Sequence, residues 1–255
     1  MVNGKYKILV ANDDGVYAKG ICELIAALRP IADLTVVAPD GPRSGASCSI
    51  TSTRPLMCKK MIEEEGLVVW RCDGTPLDCV KLGLDQILSE RPDMVVAGIN
   101  HGDNSSVNVH YSGTMGAVLE GCMKKIPSIG FSICTFDPHA DFSACAPYIR
   151  AIVEKALEKG IPEWTCLNVN FPNTLELKGV RICRQTKAVW IKEFDKRTHP
   201  FGRDYWCMTG EFFNHEPDSE DSDQWALNNG YVAITPIKTD MTDYELLEEM
   251  KGWGL

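Results

Sequence analysis

Short apolar runs recur through the first two-thirds of the chain and predict strands at Tyr6–Ala11, Leu34–Ala38, Leu67–Cys72, Met94–Gly98, Ile129–Cys134 and Cys166–Asn170. Most of these runs are continuous rather than alternating, as in strands buried on both faces. Between them apolar residues fall at helical spacing. Leu77, Val80, Leu84, Ile87 and Leu88 share one face after a Thr75-Pro76 start, Met115, Val118, Leu119, Cys122 and Met123 share another, and Cys145 to Lys159 reads as a further helix. Strands alternating with helices predict an α/β fold: a Rossmann-like, mostly parallel sheet with helices on both faces. The apolar stripes are read as core.

From about Gly179 the pattern changes. "GVRICRQTK" reads as a strand, but Trp190 to Asp223 is polar, aromatic and without a steady period, and its end, "NHEPDSEDSD", reads as a solvated acidic loop. "GYVAITPI" then predicts a strand, and 242–253 a closing helix with Tyr244, Leu247 and Met250 on one side. The expected division is a catalytic core over 1–185, an extended arm and acidic loop over 186–228, and a terminal strand and helix over 229–255. Trp190, Phe194, Phe201, Tyr205, Trp206, Phe212 and Phe213 form a large aromatic load for a segment with no core periodicity. Such a surface packs on something, and subunit interfaces favour aromatics. The arm is therefore expected to serve oligomerisation, with a lid over its own subunit as the alternative.

The chain has 255 residues, 44% of them hydrophobic and 24% charged, enough for a full core without disulfide scaffolding. Its net charge of −9 opposes the phosphate neutralisation that nucleic-acid binding requires, so no nucleic-acid polymer is expected as a partner. Eleven scattered cysteines form no Cys-x-x-Cys pair and no zinc spacing. They are read as reduced thiols, as in Cys134 and Cys183 within apolar runs, and hence as the mark of a cytoplasmic protein. The apolar run near the start is too short for a secretory h-region or a membrane span, so no membrane association is expected.

Three polar loops each follow a predicted strand. In "ILVANDDGVYAKG" the strand runs into Asn12-Asp13-Asp14-Gly15, which places adjacent carboxylates at the carboxyl edge of the sheet, where α/β proteins keep their sites. Two carboxylates at one point repel unless a cation neutralises them, and hard oxygen ligands select Mg²⁺ or Mn²⁺. An aspartate here could equally cap the next helix. "VVAPDGPRSGASCSIT" offers hydroxyls and amides to a phosphate or metal, though alone it is an ordinary loop. "VVAGINHGDNSSVNVHYSGTMGAVLEG" carries Asn100, Asp103, Asn104 and Asn108, and its Ser112-Gly113-Thr114 opens a helix whose amides suit phosphate.

These residues resemble the SurE family of divalent-metal-dependent 5′/3′-nucleotidases. "NDDG", "APDGPRSGASCSIT", "GINHGDN" in the GxNxGxN form, "YSGTMGAVLEG", "LNVNFP" and "GYVAITPIKTDMT" occur in family order across nearly the whole chain. The resemblance implies one Mg²⁺ or Mn²⁺ per subunit held by Asp13, Asp14, Ser44 and Asn100. It implies Asn104 as the side chain that helps hold phosphate in the transition state, and Ser112, Gly113 and Thr114 as the phosphate-binding segment. Asp13, Asp14 and Asn104 would carry catalysis of nucleoside monophosphate hydrolysis, and a hairpin from the arm would embrace a neighbouring subunit in a homodimer or homotetramer. The chain departs from the pattern at Ser106, where glycine is usual, and at Cys48, where histidine is often found. Neither His101 nor His110 is needed for the chemistry, and each stands as either a substrate or proton-transfer group or a loop residue.

Two rival readings remain. "NDDGV" looks like the DxDGT/V box of phosphatases that form an aspartyl-phosphate, but the nucleophile would then be Asn12, an amide unable to attack. A nucleotide-binding module without chemistry would need a known cradle. No GxGxxG follows a strand, and "GVYAKGI" has P-loop glycine spacing without the Lys-Ser/Thr that follows it.

Overall fold

The computed structural model describes residues 5–254. β1 (Tyr6–Ala11), α1 (Lys19–Leu28) and β2 (Ala32–Pro39) are followed by a hairpin of β3 (Cys58–Glu64) and β4 (Leu67–Cys72). α2 (Pro76–Leu82) widens into a π-helical turn over Gly83–Ile87 before β5 (Met94–His101). A 3₁₀ turn over Ser106–His110 precedes α3 (Gly113–Met123), β6 (Ser128–Ile133), α4 (Cys145–Lys159) and β7 (Thr165–Phe171). Then come β8 (Val180–Ile182), β9 (Ala188–Ile191), β10 (Phe194–Thr198), β11 (Asp204–Met208), β12 (Glu211–Asn214), α5 (Asp223–Asn228), β13 (Val232–Lys238) and α6 (Tyr244–Met250).

Among the described residues nine strands form one sheet in the order β3-β4-β2-β1-β5-β6-β7-β13-β8. Pairing is parallel from β4 to β7, while β3 runs antiparallel to β4 and β13 antiparallel to β7. Successive residues of a buried strand face opposite layers. Ile8 and Val10 accordingly pack with Ile21, Leu24 and Leu28 of α1 and with Ile149 and Val153 of α4. Leu9 and Ala11 pack with Val80 of α2 and with Met115 and Val118 of α3. The sheet is thus apolar on both faces, which is why the sequence shows runs instead of alternation.

β1 lies between β2 and β5, so the chain builds outward first to one side and then to the other. That reversal opens a crevice beyond the carboxyl ends of β1 and β5, the position where open α/β sheets bind ligands. The register of β5 against β6 shifts between Ala97 and Asn100, and Gly98 there has φ +126. A Cβ on Gly98 would lie 2.2 Å from the carbonyl oxygen of Phe131, so both conformation and space require glycine.

The sequence expectations differ from the structure mainly at the periphery. The stretch from Trp190 to Asp223 is ordered as a ribbon: β9 pairs with β12 and β10 with β11, both antiparallel. The outer half, β10 with β11, is largely exposed on both faces and carries no alternation to read, whereas at the root Trp190 of β9 and Phe212 of β12 are half-buried. The acidic segment is not simply a solvated loop. Arg184 forms ion pairs with Glu216 and Asp221, and Asp223 is buried, accepting from Ser106 N, Thr186 N and Thr186 Oγ1. The final helix is shorter than expected and none of its residues is buried, so its apolar side meets no core. Met123 at the end of α3 is likewise exposed. β3 and α5 went unread, the first because its residues are mostly exposed and charged, the second because it has only six residues.

Gly20 lets α1 seat on β5: a Cβ there would lie 1.9 Å from the carbonyl oxygen of Ile99. Gly20→Ala is expected to destabilise the fold by about 1–3 kcal/mol or more through overpacking, despite the better helix propensity of alanine. A urea midpoint equal to or above that of the wild type would contradict this packing.

Candidate functional site

Asp13 follows β1 directly and is 4% exposed. Its Oδ1 accepts a 2.5 Å hydrogen bond from Thr114 Oγ1 in the first turn of α3. Its backbone oxygen accepts from Arg43 N at 2.7 Å. A Cβ on Gly113 would come within 2.9 Å of Asp13 Cβ, so the opening of α3 approaches the carboxylate as closely as a backbone can. Burial pushes the Asp13 carboxyl up to about 6, the adjacent Asp14 charge adds to the rise, and the Thr114 hydroxyl opposes it.

Asp14 is less buried. Its Oδ2 accepts from His101 N at 3.2 Å and lies 3.5 Å from His101 Nδ1. His101 thus faces Asp14 from the end of β5, with its ring edge against Phe142 and its Nε2 buried without a partner. His110 is exposed and offers the loop its carbonyl, which accepts from Ser47 Oγ at 2.6 Å. Neither aspartate caps a helix, since the N-cap of α1 is Ala18, with no side-chain bond. The capping alternative is removed.

Ser44 lies exposed in the loop after β2. That loop is fastened on both sides: Arg43 reaches Asp40 at 2.9 Å and the carbonyls of Asp73 and Gly74, while Ser47 N donates to Tyr111 O at 3.2 Å. Asn100, near the end of β5, spends its Nδ2 on Gly102 O at 2.6 Å, which leaves Oδ1 as the atom available to a ligand. Ser112 is the N-cap of α3, accepting from Met115 N, so the amides of Gly113 and Thr114 remain at the helix mouth. Asn104 is buried, donates from Nδ2 to Ser132 Oγ at 2.7 Å, and is held by its main chain to Asn168 and Asn170 of β7.

Direct contacts therefore join Asp13 to Thr114, Asp14 to the β5 end, and Asn104 to β6 and β7, all around the crevice at the strand reversal. Sequence reasoning missed several supports. Arg43 lies within the APDGPRSGASCSIT motif but was given no role, and Asp223 was read only as the end of the acidic loop. Asp103 and Asn108 are supports rather than free loop groups, Asp103 accepting from Gln224 Nε2 at 3.1 Å and Asn108 accepting from the Trp190 indole at 2.8 Å. Asn168 and Asn170 had a visible signal, two amides at strand period inside an apolar run. Ser106, where glycine was expected, has φ +52, and it is held there by its N–H on Asp223 and its hydroxyl on Thr186 O. All eleven cysteines are free, six of them buried. Among the described residues no helix is long and apolar enough to cross a membrane.

A family model described as Survival protein SurE matches residues 8–192. The chain is 58% identical over 255 residues to the 5′-nucleotidase SurE of Phocaeicola vulgatus, covering all of this chain and 99% of that protein. It is 56% identical to the 5′-nucleotidase SurE of Bacteroides fragilis, with both chains fully covered. The crystal structure of the SurE protein from Aquifex aeolicus superimposes with a TM-score of 0.84 at 39% identity, over 96% of this chain and 98% of that one.

A carboxyl whose folded pKa lies above its ordinary value of 3.8 is less stable charged in the fold than in the unfolded chain. Asp13 therefore lowers stability above pH 6, and this penalty vanishes below about pH 4. In EDTA, Asp13→Asn is expected to stabilise the fold at pH 7 by up to about 3 kcal/mol, with the gap closing as the pH falls to 4. Equal urea midpoints for the two proteins at pH 7 would show that the carboxylate is already compensated.

Proposed function

This chain belongs to the SurE survival-protein family, and we propose that it is a divalent-metal-dependent phosphatase that hydrolyses nucleoside 5′-monophosphates, and 3′-monophosphates as well, to nucleoside and phosphate. The observation that carries the reading is the contact of Thr114 with Asp13, which sets a helix mouth suited to phosphate against a carboxylate pair at the sheet's crevice. Near-full-length identity to proteins named 5′-nucleotidase SurE supports the nucleotidase class.

The residues fit a hard cation. Among the described residues no three or more His, Cys, Asp and Glu side chains gather to hold a metal, so a cation here draws on two aspartates and neutral oxygens. Asp13 is buried with one hydroxyl partner and a neighbouring like charge, and Asn12 Oδ1 beside it is buried without a partner. A carboxylate left in that state is stabilised by a cation, and an all-oxygen set selects Mg²⁺ or Mn²⁺. Asp13, Asp14, Ser44 and Asn100 would hold it. When bound, such an ion supplies positive charge that polarises a phosphoryl oxygen and lowers the repulsion met by an incoming water.

Phosphate monoester hydrolysis is a matter of positioning and charge, since a dianion must accept a nucleophile and release an alkoxide. The amides of Gly113 and Thr114 and the side chain of Asn104 would bind the equatorial oxygens. A carboxylate of the Asp13/Asp14 pair would orient the water as its proton leaves. No residue stands where an aspartyl-phosphate box needs its nucleophile, because Asn12 is an amide bonded to Gly15 O. The site takes one terminal phosphate, with no lysine-bearing loop to grip a chain of them.

EDTA is expected to abolish hydrolysis of AMP or GMP and Mg²⁺ or Mn²⁺ to restore it, while Asp14→Asn lowers kcat by at least about 100-fold. ATP is expected to be cleaved more slowly than AMP at equal concentration. Full activity in excess chelator, faster ATP cleavage, or a trappable phosphoenzyme would each overturn the mechanism.

The ribbon of β9 to β12 is read as an oligomerisation arm that makes the protein a homodimer or homotetramer. Phe194, Phe201, Trp206 and Met208 are all more than half exposed, an apolar load that a partner surface would cover. Replacing residues 194–208 by a short turn leaves β9 and β12 in place and is expected to reduce the mass found by light scattering. A monomeric intact protein, or an unchanged oligomer after the replacement, would refute the arm.

A further inference from the structure

Four buried polar side chains, those of Asn104, Ser132, Asn168 and Asn170, form a closed set. Asn168 and Asn170 are two residues apart on β7 and so share a face, and Ser132 of β6 lies opposite Asn170 in register. Asn170 Oδ1 accepts from Asn104 N at 2.7 Å, and Asn168 Nδ2 donates to Asn104 O at 2.7 Å. Asn170 Nδ2 donates to Asn168 Oδ1 at 3.0 Å, which closes the ring. Ser132 Oγ accepts from Asn104 Nδ2 at 2.7 Å. Ser132, Asn168 and Asn170 are each at most 1% exposed.

Burying three amides and a hydroxyl is costly unless every group finds a partner, and apolar side chains would fill the same strands without that cost. Here the bonds converge on one residue, gripping its N–H, its carbonyl and its side chain together. The side-chain bond also has a direction. One N–H of Nδ2 goes to Ser132, and Asn104 keeps a second N–H as well as Oδ1. A phosphate dianion has only acceptors, so that second N–H is the part of the amide that can serve it. Held to the Ser132 hydroxyl by one N–H, the amide cannot rotate without breaking that bond, so the second N–H keeps one direction.

We propose that Ser132, Asn168 and Asn170 are positioning residues for Asn104, and that the Ser132 hydroxyl, by holding one N–H of the Asn104 amide, aims the other at the phosphoryl group. The inference rests on the reading that Asn104 contacts phosphate. Asn168 and Asn170 fix where the amide sits, Ser132 fixes which way it faces, and none of the three touches substrate.

The test is steady-state hydrolysis of AMP with Mg²⁺ by the full-length protein and its variants, each checked for an unchanged melting profile. Ser132→Ala is expected to lower kcat by about 10- to 100-fold, the range for a misplaced catalytic group. KM should stay within about threefold, because the interaction at stake strengthens in the transition state. Ser132→Thr, which keeps the hydroxyl, should recover most of the loss, and Asn170→Ser should resemble Ser132→Ala. A structural role would act in any background. Ser132→Ala should therefore cause no further loss once Asn104→Ala is present. A kcat for Ser132→Ala close to wild type, or a loss that persists undiminished beside Asn104→Ala, overturns the proposal. Wild-type protein that leaves AMP intact, or an Asn104→Ala variant as fast as wild type, removes instead the functional reading beneath it.

Discussion

The buried carboxylate of Asp13 is the constraint around which the centre of this protein is built. A charge at the mouth of an apolar sheet is unfavourable, and the Thr114 hydroxyl offsets only part of the cost while the adjacent Asp14 charge adds to it. Holding the group in place draws in three separate parts of the chain. The loop after β2 binds its carbonyl through Arg43 N, the opening of α3 closes on it through Gly113, and β5 lies beside β1 to bring His101 against Asp14. Stability is given up at one point to keep a reactive arrangement ready, which is how strain and burial are commonly distributed around functional sites.

The other side of the crevice is built on different terms. β6 and β7 carry Ser132, Asn168 and Asn170 where a parallel sheet ordinarily holds Val, Ile and Leu, and each of these groups is satisfied. The outer rim is fastened by Asp223, which links Ser106 to Thr186 at the root of the ribbon, and by the Trp190 indole on Asn108. The ribbon root and the 3₁₀ turn between the two site loops are therefore one hydrogen-bonded unit. The ribbon is thereby continuous with the site through hydrogen bonds.

Apolar surface remains on the ribbon, on α6 and just beyond it, where Tyr244, Leu247, Met250 and Trp253 are exposed. In the core, by contrast, strands and helices share one economy: each strand residue faces one of two helix layers, and both layers are filled.

Much of this was legible in the sequence. The central strands, the α2 start at Thr75-Pro76 and the full span of α4 follow from apolar runs, helical spacing and capping chemistry, all of which act over a few residues. The adjacent aspartates and the serine-capped opening of α3 were visible for the same reason. Tertiary structure alone decided that β1 sits between β2 and β5, since strand order depends on crossovers tens of residues long and leaves no local trace. That order is what brings Asp13 to Thr114, 101 residues away. It also decided that Asn104 leans on β7 and that Asp223 belongs to the core rather than to a solvated loop. A polar residue reads as surface until its partner is found, and these partners lie 66 and 117 residues distant. The closing helix was legible from its spacing, but its lack of a core to meet was not. The outer half of the ribbon stayed unread because residues that face no core carry no alternation between inside and outside.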